Sequence, residues 1–148
     1  MHYRIATIAD IPRIQVVRHL VKENRLSNPA LVTDADVEDY ITRRGRGWVA
    51  EVEGVIVGFA IADLEGHSIW ALFIQPEWEG HGIGRELHRL MLDWYFSQSP
   101  VTLWLTTAPG TRAEQFYKKA GWREVGLEKG ELRFEMDRES WKALLAVV

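Results

Sequence analysis

The chain of 148 residues has no cysteine, which removes disulfides, thiolate nucleophiles and cysteine-based metal sites from consideration. A reducing compartment suits that composition, and a cytoplasmic location is the expectation. No apolar run approaches the ~20 residues a membrane-spanning helix needs, and Met1-His2-Tyr3-Arg4-Ile5-Ala6-Thr7 lacks the apolar stretch of a secretion signal. Basic charge is not in excess either: 18 Lys and Arg stand against 21 Asp and Glu, a net charge of -3. A broad nucleic-acid or anionic-membrane surface is therefore not expected. With 5 prolines and no Pro/Ser/Gly-rich linker, repeat or low-complexity stretch, nothing divides the chain, and residues 1–148 read as one domain. The 47% hydrophobic and 26% charged content is that of an ordinary packed globule.

Periodicity supplies the elements. Tyr3 to Thr7 reads as a strand, followed by a helix that Asp10 can cap, with Pro12 in its first turn and Ile14, Val17 and Val21 at helical spacing. Thr33-x-x-Asp36 resembles a capping box before Val37, Tyr40 and Ile41. Trp48 to Val52, Val55 to Ala62 and Ser68 to Ile74 then form an antiparallel meander with turns at Glu53-Gly54 and Glu65-Gly66-His67. Ile83, Leu87, Leu90, Met91 and Trp94 mark a long amphipathic helix, and Val101 to Thr106 alternates as a strand. Thr111-Arg112-Ala113-Glu114 is another capping-box pattern, opening a helix that stops at Gly121. A hairpin around Gly130 joins Val125–Leu127 to Leu132–Met136, and Ser140 is placed to cap a short last helix through Leu145, within the apolar end Leu144 to Val148.

Between the third meander strand and the long helix lies Glu79-Gly80-His81-Gly82-Ile83-Gly84. A glycine-dense turn feeding a helix N-terminus offers backbone N–H groups and the positive end of the helix dipole to an anion. The third glycine of a dinucleotide fingerprint is missing, since Leu87 stands there, and no Gly-Lys-Ser/Thr follows to make a P-loop.

The segment resembles the coenzyme A signature of the GCN5-related N-acetyltransferases (GNAT), Gln/Arg-x-x-Gly-x-Gly/Ala, with Glu79 where Gln or Arg is usual. Leu72-Phe73-Ile74-Gln75-Pro76 takes the place of that family's bulged strand. Downstream, Ala113-Glu114-Gln115-Phe116-Tyr117-Lys118-Lys119-Ala120-Gly121-Trp122 is similar to the family's Ala-x-x-x-Tyr-x-x-x-Gly-Phe, and Gly110 stands where the family often has Asn. The resemblance covers nearly the whole chain. It implies an α/β (α+β) fold with a mixed, mostly antiparallel sheet of about seven strands flanked by about four helices.

What the resemblance implies chemically is an acetyl-CoA-dependent N-acetyltransferase acting by direct transfer on a primary amine of a small molecule, peptide or protein. Acetyl-CoA would be the acyl donor, no metal would be required, and a homodimer is left open. Glu79, Gly80, His81, Gly82, Ile83 and Gly84 would bind the diphosphate. Backbone N–H groups near Leu72 and Phe73, that of Leu72 first, would polarise the carbonyl, and Phe73 and Ile74 would meet the pantetheine arm. Tyr117 would be the general acid. Some relatives carry a Glu where Ser68 stands, so the base is open between Ser68 or His67 acting through water and Asp63 or Glu65 reaching in from the turn. A non-catalytic acyl-CoA-binding or sensor module of the same fold is the alternative.

Other features have plainer readings. His81 and His88 are expected to be exposed, and Arg43-Arg44-Gly45-Arg46 a solvated basic cluster at a helix end. Trp48, Trp70, Trp94 and Trp104 read as packing residues, while Trp78 and Trp122 adjoin the two motifs.

Overall fold

A computed structural model describes residues 1–21 and 32–146. Its elements run β1 (His2–Ile5), α1 (Ile11–Leu20), α2 (Asp34–Asp39), β2 (Gly45–Val52), β3 (Val55–Asp63), β4 (Ser68–Ile74), α3 (Ile83–Gln98), β5 (Leu103–Thr107), α4 (Arg112–Lys119), β6 (Arg123–Glu128), β7 (Glu131–Met136) and α5 (Arg138–Ala146). Contacts group them into two compact units, Met1–Tyr95 and Phe96–Val148.

In the first unit β1, β2, β3 and β4 pair in sequence, each antiparallel to the next. Glu53 and Gly54 both adopt positive φ, 50° and 80°, the tight turn that matches strand twist. β2 begins at Gly45, three residues before the expected Trp48. A Cβ on Gly45 would lie 1.8 Å from the Ala62 carbonyl oxygen, so only glycine lets the two strands close there. β4 has the expected bounds, and its bulge falls at Trp70: Ile61 faces Ala71 and Ala62 faces Ile69, leaving Trp70 inserted. Ile14 and Val17 of α1, Val37 of α2 and the following Ile41 pack with Val49, Phe59, Ile61 and Ala71, and Trp70 and Phe73 join the margin of that cluster.

Capping follows the sequence in part. Thr33 and Asp36 form the reciprocal box, at 3.1 and 2.9 Å. Asp10 sits at the cap of α1, but its carboxylate turns back to accept the Arg4 guanidinium at 2.8 Å through each oxygen and the Thr7 amide at 2.7 Å. Arg4 also pairs with Glu51. The Arg4 fork holds the Asp10 carboxyl below the ordinary aspartate range.

α3 starts at Ile83 as its pattern predicts, yet its inward stripe is rotated. Ile83, Leu87, His88, Met91, Leu92, Tyr95 and Phe96 are buried, while Leu90 and Trp94 are half-exposed. His88 is thus a core residue, against the expectation of an exposed one. Burial lowers its imidazole to about 4 from the usual 6.5. A depressed pKa means that the unfolded chain takes up the proton first, so stability is full above pH 6.5 and falls as pH drops towards 4. We expect the melting temperature to decline through that window, by the equivalent of roughly 1–3 kcal/mol, and His88→Gln to flatten the decline. Calorimetry across pH 4–7 checks this. Asp10, held low by Arg4, contributes its own loss only in more acid solution.

In the second unit β7 pairs antiparallel with both β5 and β6. β5 begins at Leu103 rather than Val101, whose amide instead donates to the Ser99 hydroxyl at 3.1 Å. Lys129 and Gly130, both at positive φ, turn β6 into β7. Thr111 caps α4 by accepting from the Glu114 amide at 3.3 Å, but the Glu114 carboxylate accepts from the Gly110 amide and binds Lys118 instead of closing the box. α5 is capped by Asp137, which accepts the Ser140 amide at 2.7 Å, so Ser140 lies one turn inside. Of the apolar end, Leu144 lies beside Gly121, and Val147 and Val148 fall outside the described residues.

Among the described residues no helix is long and apolar enough to cross a membrane.

Candidate active site

The stretch from β4 to α3 is built on backbone. A short 3-10 turn, Pro76–Trp78, follows β4, and Gly80 and Gly82 then both take φ of +81°. At either glycine a Cβ would meet no atom within 4 Å, so the main chain there is bare. The first intrahelical bond of α3 runs from the Glu86 amide to the Gly82 carbonyl at 3.1 Å. The amides of Ile83, Gly84 and Arg85 therefore precede the helical ladder and lie at the dipole's positive end.

His81 is exposed, as expected, and its Nδ1–H donates to the carbonyls of Trp78 and Glu79 at 3.1 and 3.0 Å. Because carbonyls only accept, these contacts place a proton on Nδ1. Trp78 packs against this imidazole, ring centres 5.4 Å apart. Glu79 is half-buried.

The phase of β4 decides which amides it turns away from β3. Gln75 donates to the Val57 carbonyl at 2.7 Å, and with the register Phe59–Phe73 and Ile61–Ala71, every second residue bonds to β3. The Phe73 and Ala71 amides are consumed there, so the Phe73 N–H, expected to help polarise the carbonyl, is spent on the ladder. Those of Leu72 and Ile74 point to the opposite edge of β4.

The candidates for the base separate clearly. Asp63 is buried and accepts from Arg44 at 2.7 Å and from the Gly66 amide at 3.0 Å. Glu65 is ion-paired with Arg43 and Arg44. Both carboxylates of the turn are thus engaged. His67 is half-buried at positive φ, 61°, and its Nδ1 shares a 2.9 Å hydrogen bond with the buried Tyr95 hydroxyl. Ser68, at the start of β4, is buried.

In the Arg43–Arg46 run Arg43 is exposed, as expected of a solvated cluster, while Arg44 and Arg46 are half-buried. Arg43 grips both oxygens of Asp39 through Nε and Nη2, at 2.6 and 2.9 Å; Arg44 lies over Tyr40 and Arg46 over Trp94. The turn before β2, Tyr40–Arg44, is π-helical.

Sequence reasoning passed over Arg18. Its guanidinium carbon stands 5.2 Å from the ring centre of Trp70 and 5.0 Å from that of Phe73, and Tyr40 stacks on Trp70 at 3.9 Å. Nε and Nη2 of Arg18 are buried and have no hydrogen-bond partner among the described residues. Desolvation lowers its pKa, but a guanidinium remains a cation. The signal was its place one turn after Ile14, on the inward face of α1.

Tyr117 belongs to the second unit. It lies on α4, buried, with Phe116, Trp122 and Phe134 around it at ring-centre distances of 5.2, 5.5 and 6.3 Å. Burial pushes its phenol upward, which keeps the proton on oxygen. Trp122 is buried against it. Among the described residues, no three His, Asp or Glu side chains are placed to hold a metal ion.

Residues 14–122 match the model of the acetyltransferase (GNAT) family. A PaiA N-acetyltransferase from Thermoplasma acidophilum, solved in complex with coenzyme A, superposes with TM-score 0.82 at 14% identity, covering 93% of this chain and 99% of that one. A ribosomal-protein-alanine N-acetyltransferase from Brucella melitensis gives 0.75 at 24% identity with the same coverage, and smu.2055 from Streptococcus mutans gives 0.78 at 18%, again with that coverage. No curated protein matches the sequence.

Proposed function

This chain belongs to the GNAT family of acetyltransferases, and from that premise we propose that it is an acetyl-CoA-dependent N-acetyltransferase transferring directly to a primary amine. The observation that carries the reading is the bare glycine turn at the start of α3, where Gly80 and Gly82 leave the main chain uncovered. The residues present fit a diphosphate: the amides of Ile83, Gly84 and Arg85 precede the helical ladder, and the helix dipole adds ~0.3–1 kcal/mol at an exposed end. When bound, acetyl-CoA supplies the activated acetyl thioester.

The chain's own residues divide the remaining work. Main-chain groups of residues 79–84 hold the diphosphate, and Ile74 pairs with the pantetheine arm. The Leu72 N–H, turned away from β3 by the ladder's phase, donates to the carbonyl oxygen as charge builds there. Phe73 contributes its side chain, since its amide is spent on β3. Tyr117 stays protonated at neutral pH and gives its proton to the departing sulfur.

An ammonium acceptor, pKa about 10.4, must lose a proton before it attacks. With Asp63 and Glu65 tied to arginines, His67 and Ser68 are the groups left to draw it off through water. His67 has one ring nitrogen anchored on Tyr95, which orients the other for that role.

Acetyl-CoA alone is expected to raise the melting temperature, and thiol release in the presence of an amine panel to exceed that without amine. Stabilisation with no turnover across a broad panel would leave a binding module. No stabilisation by any CoA ester would remove the acyltransferase reading.

A further inference from the structure

Arg18 carries a need that the described fold leaves unmet. An unpaired buried donor is destabilising, the more so when charged, and among the described residues Arg18 has two such atoms, Nε and Nη2. The rings of Trp70 and Phe73 lie against the guanidinium's face and offset part of its desolvation. They cannot satisfy N–H groups that point outward in its plane. Nε and Nη2 form one edge of the group, a fork matched to the two oxygens of a carboxylate. Arg43 shows the same edge occupied, holding Asp39.

One turn earlier on α1, Gln15 has a complementary vacancy. Its Nε2 donates to the Val32 carbonyl at 3.0 Å and to Asp34 at 3.3 Å, which orients the amide, while Oε1 is buried with no donor among the described residues. An anion acceptor and an N–H acceptor are thus set on one helix. Phe73, beneath the guanidinium, is the immediate neighbour of Leu72.

We propose that Arg18 is the carboxylate-recognition residue of the acceptor site, with Gln15 Oε1 receiving an N–H of the same molecule, so that the acceptor is an amine that also bears a carboxylate. This rests on the acetyltransferase reading above. The carboxylate comes either from a free amino acid or from an acidic residue at a peptide's N-terminus, and the recognition chemistry is the same.

The test compares acetylation of matched amines: 4-aminobutyrate with 4-amino-1-butanol for the free source, and Glu-Ala amide with Gln-Ala amide for the peptide source. At least one carboxylate member is expected to be preferred roughly 10- to 100-fold in kcat/KM, the scale of a charge-assisted bidentate contact. Arg18→Met is expected to collapse that preference through KM rather than kcat, and Arg18→Lys to restore only part of it. Should Arg18→Met fail to fold, the wild-type Arg18 Nε–H resonance must shift on titration with glutarate. Equal use of each pair with intact acetyl-CoA binding would overturn the acceptor assignment while leaving the acetyltransferase standing. A resonance that responds to chloride as strongly as to glutarate would reduce the site to an inorganic anion only, and overturn it as well. Absence of any stabilisation by acetyl-CoA is the separate failure of the underlying reading.

Discussion

Gly82→Val is expected to abolish the rise in melting temperature caused by acetyl-CoA and to raise the KM for acetyl-CoA by at least ~100-fold, as amide contacts to a charged phosphate are lost. The residue has φ of +81° and open space where a side chain would stand. The folded chain therefore pays no clash, only backbone strain of roughly 1–2 kcal/mol. What the branched side chain does is cover the amides that open α3. Gly54 supplies a matched control, because it also has positive φ, 80°, with nothing within 4 Å of a Cβ, but sits in the β2–β3 hairpin. Gly54→Val should lose similar stability and keep its response to acetyl-CoA. If both variants respond like the wild type in a thermal-shift titration, the turn does not bind the diphosphate.

Tyr117→Phe is expected to lower kcat by ~100-fold, within the range for loss of a positioned acid, with the KM for acetyl-CoA nearly intact. The ring stays packed among Phe116, Trp122 and Phe134, and removal of one hydroxyl should change stability by about 1 kcal/mol. Its phenol is raised by burial, so the wild-type rate should show no loss from tyrosine ionisation below about pH 10. Steady-state kinetics with both proteins decide the matter: an unchanged kcat takes Tyr117 out of the reaction.

Much of this architecture was legible because local signals and tertiary demands coincide. The bounds of β4, the start of α3 and the Thr33–Asp36 box followed from apolar periodicity, glycine punctuation and capping chemistry. The misses share a cause, which is that a competing partner a few residues away redirects a local preference. Asp10 was drawn to Arg4, Glu114 to Gly110 and Lys118, and the Ser140 cap yielded to Asp137. Gly45 began β2 early because of the close Ala62 carbonyl, a contact that strand propensity does not encode.

At the candidate site the glycine turn was readable, since positive φ selects for glycine. The engagement of Asp63 and Glu65 was not, because their arginines lie about 20 residues away along the chain. His88 was assigned to the surface on polarity alone, although its place three and four residues before Met91 and Leu92 puts it on the buried side of α3. Arg18 was hidden likewise, by the habit of assigning every charge to solvent.

The residue inserted in β4 has a geometric consequence. In a regular strand, side chains three positions apart emerge on opposite sides, so Trp70 and Phe73 would be separated by the full thickness of the sheet. Because Ile69 and Ala71 face consecutive residues of β3, parity changes between them, and Trp70, Ala71 and Phe73 all emerge towards α1. Two broad rings flanking one methyl group make a shallow trough, and the cation of α1 lies across it. A single extra residue thus converts an ordinary alternating strand into the floor of a receptor for charge.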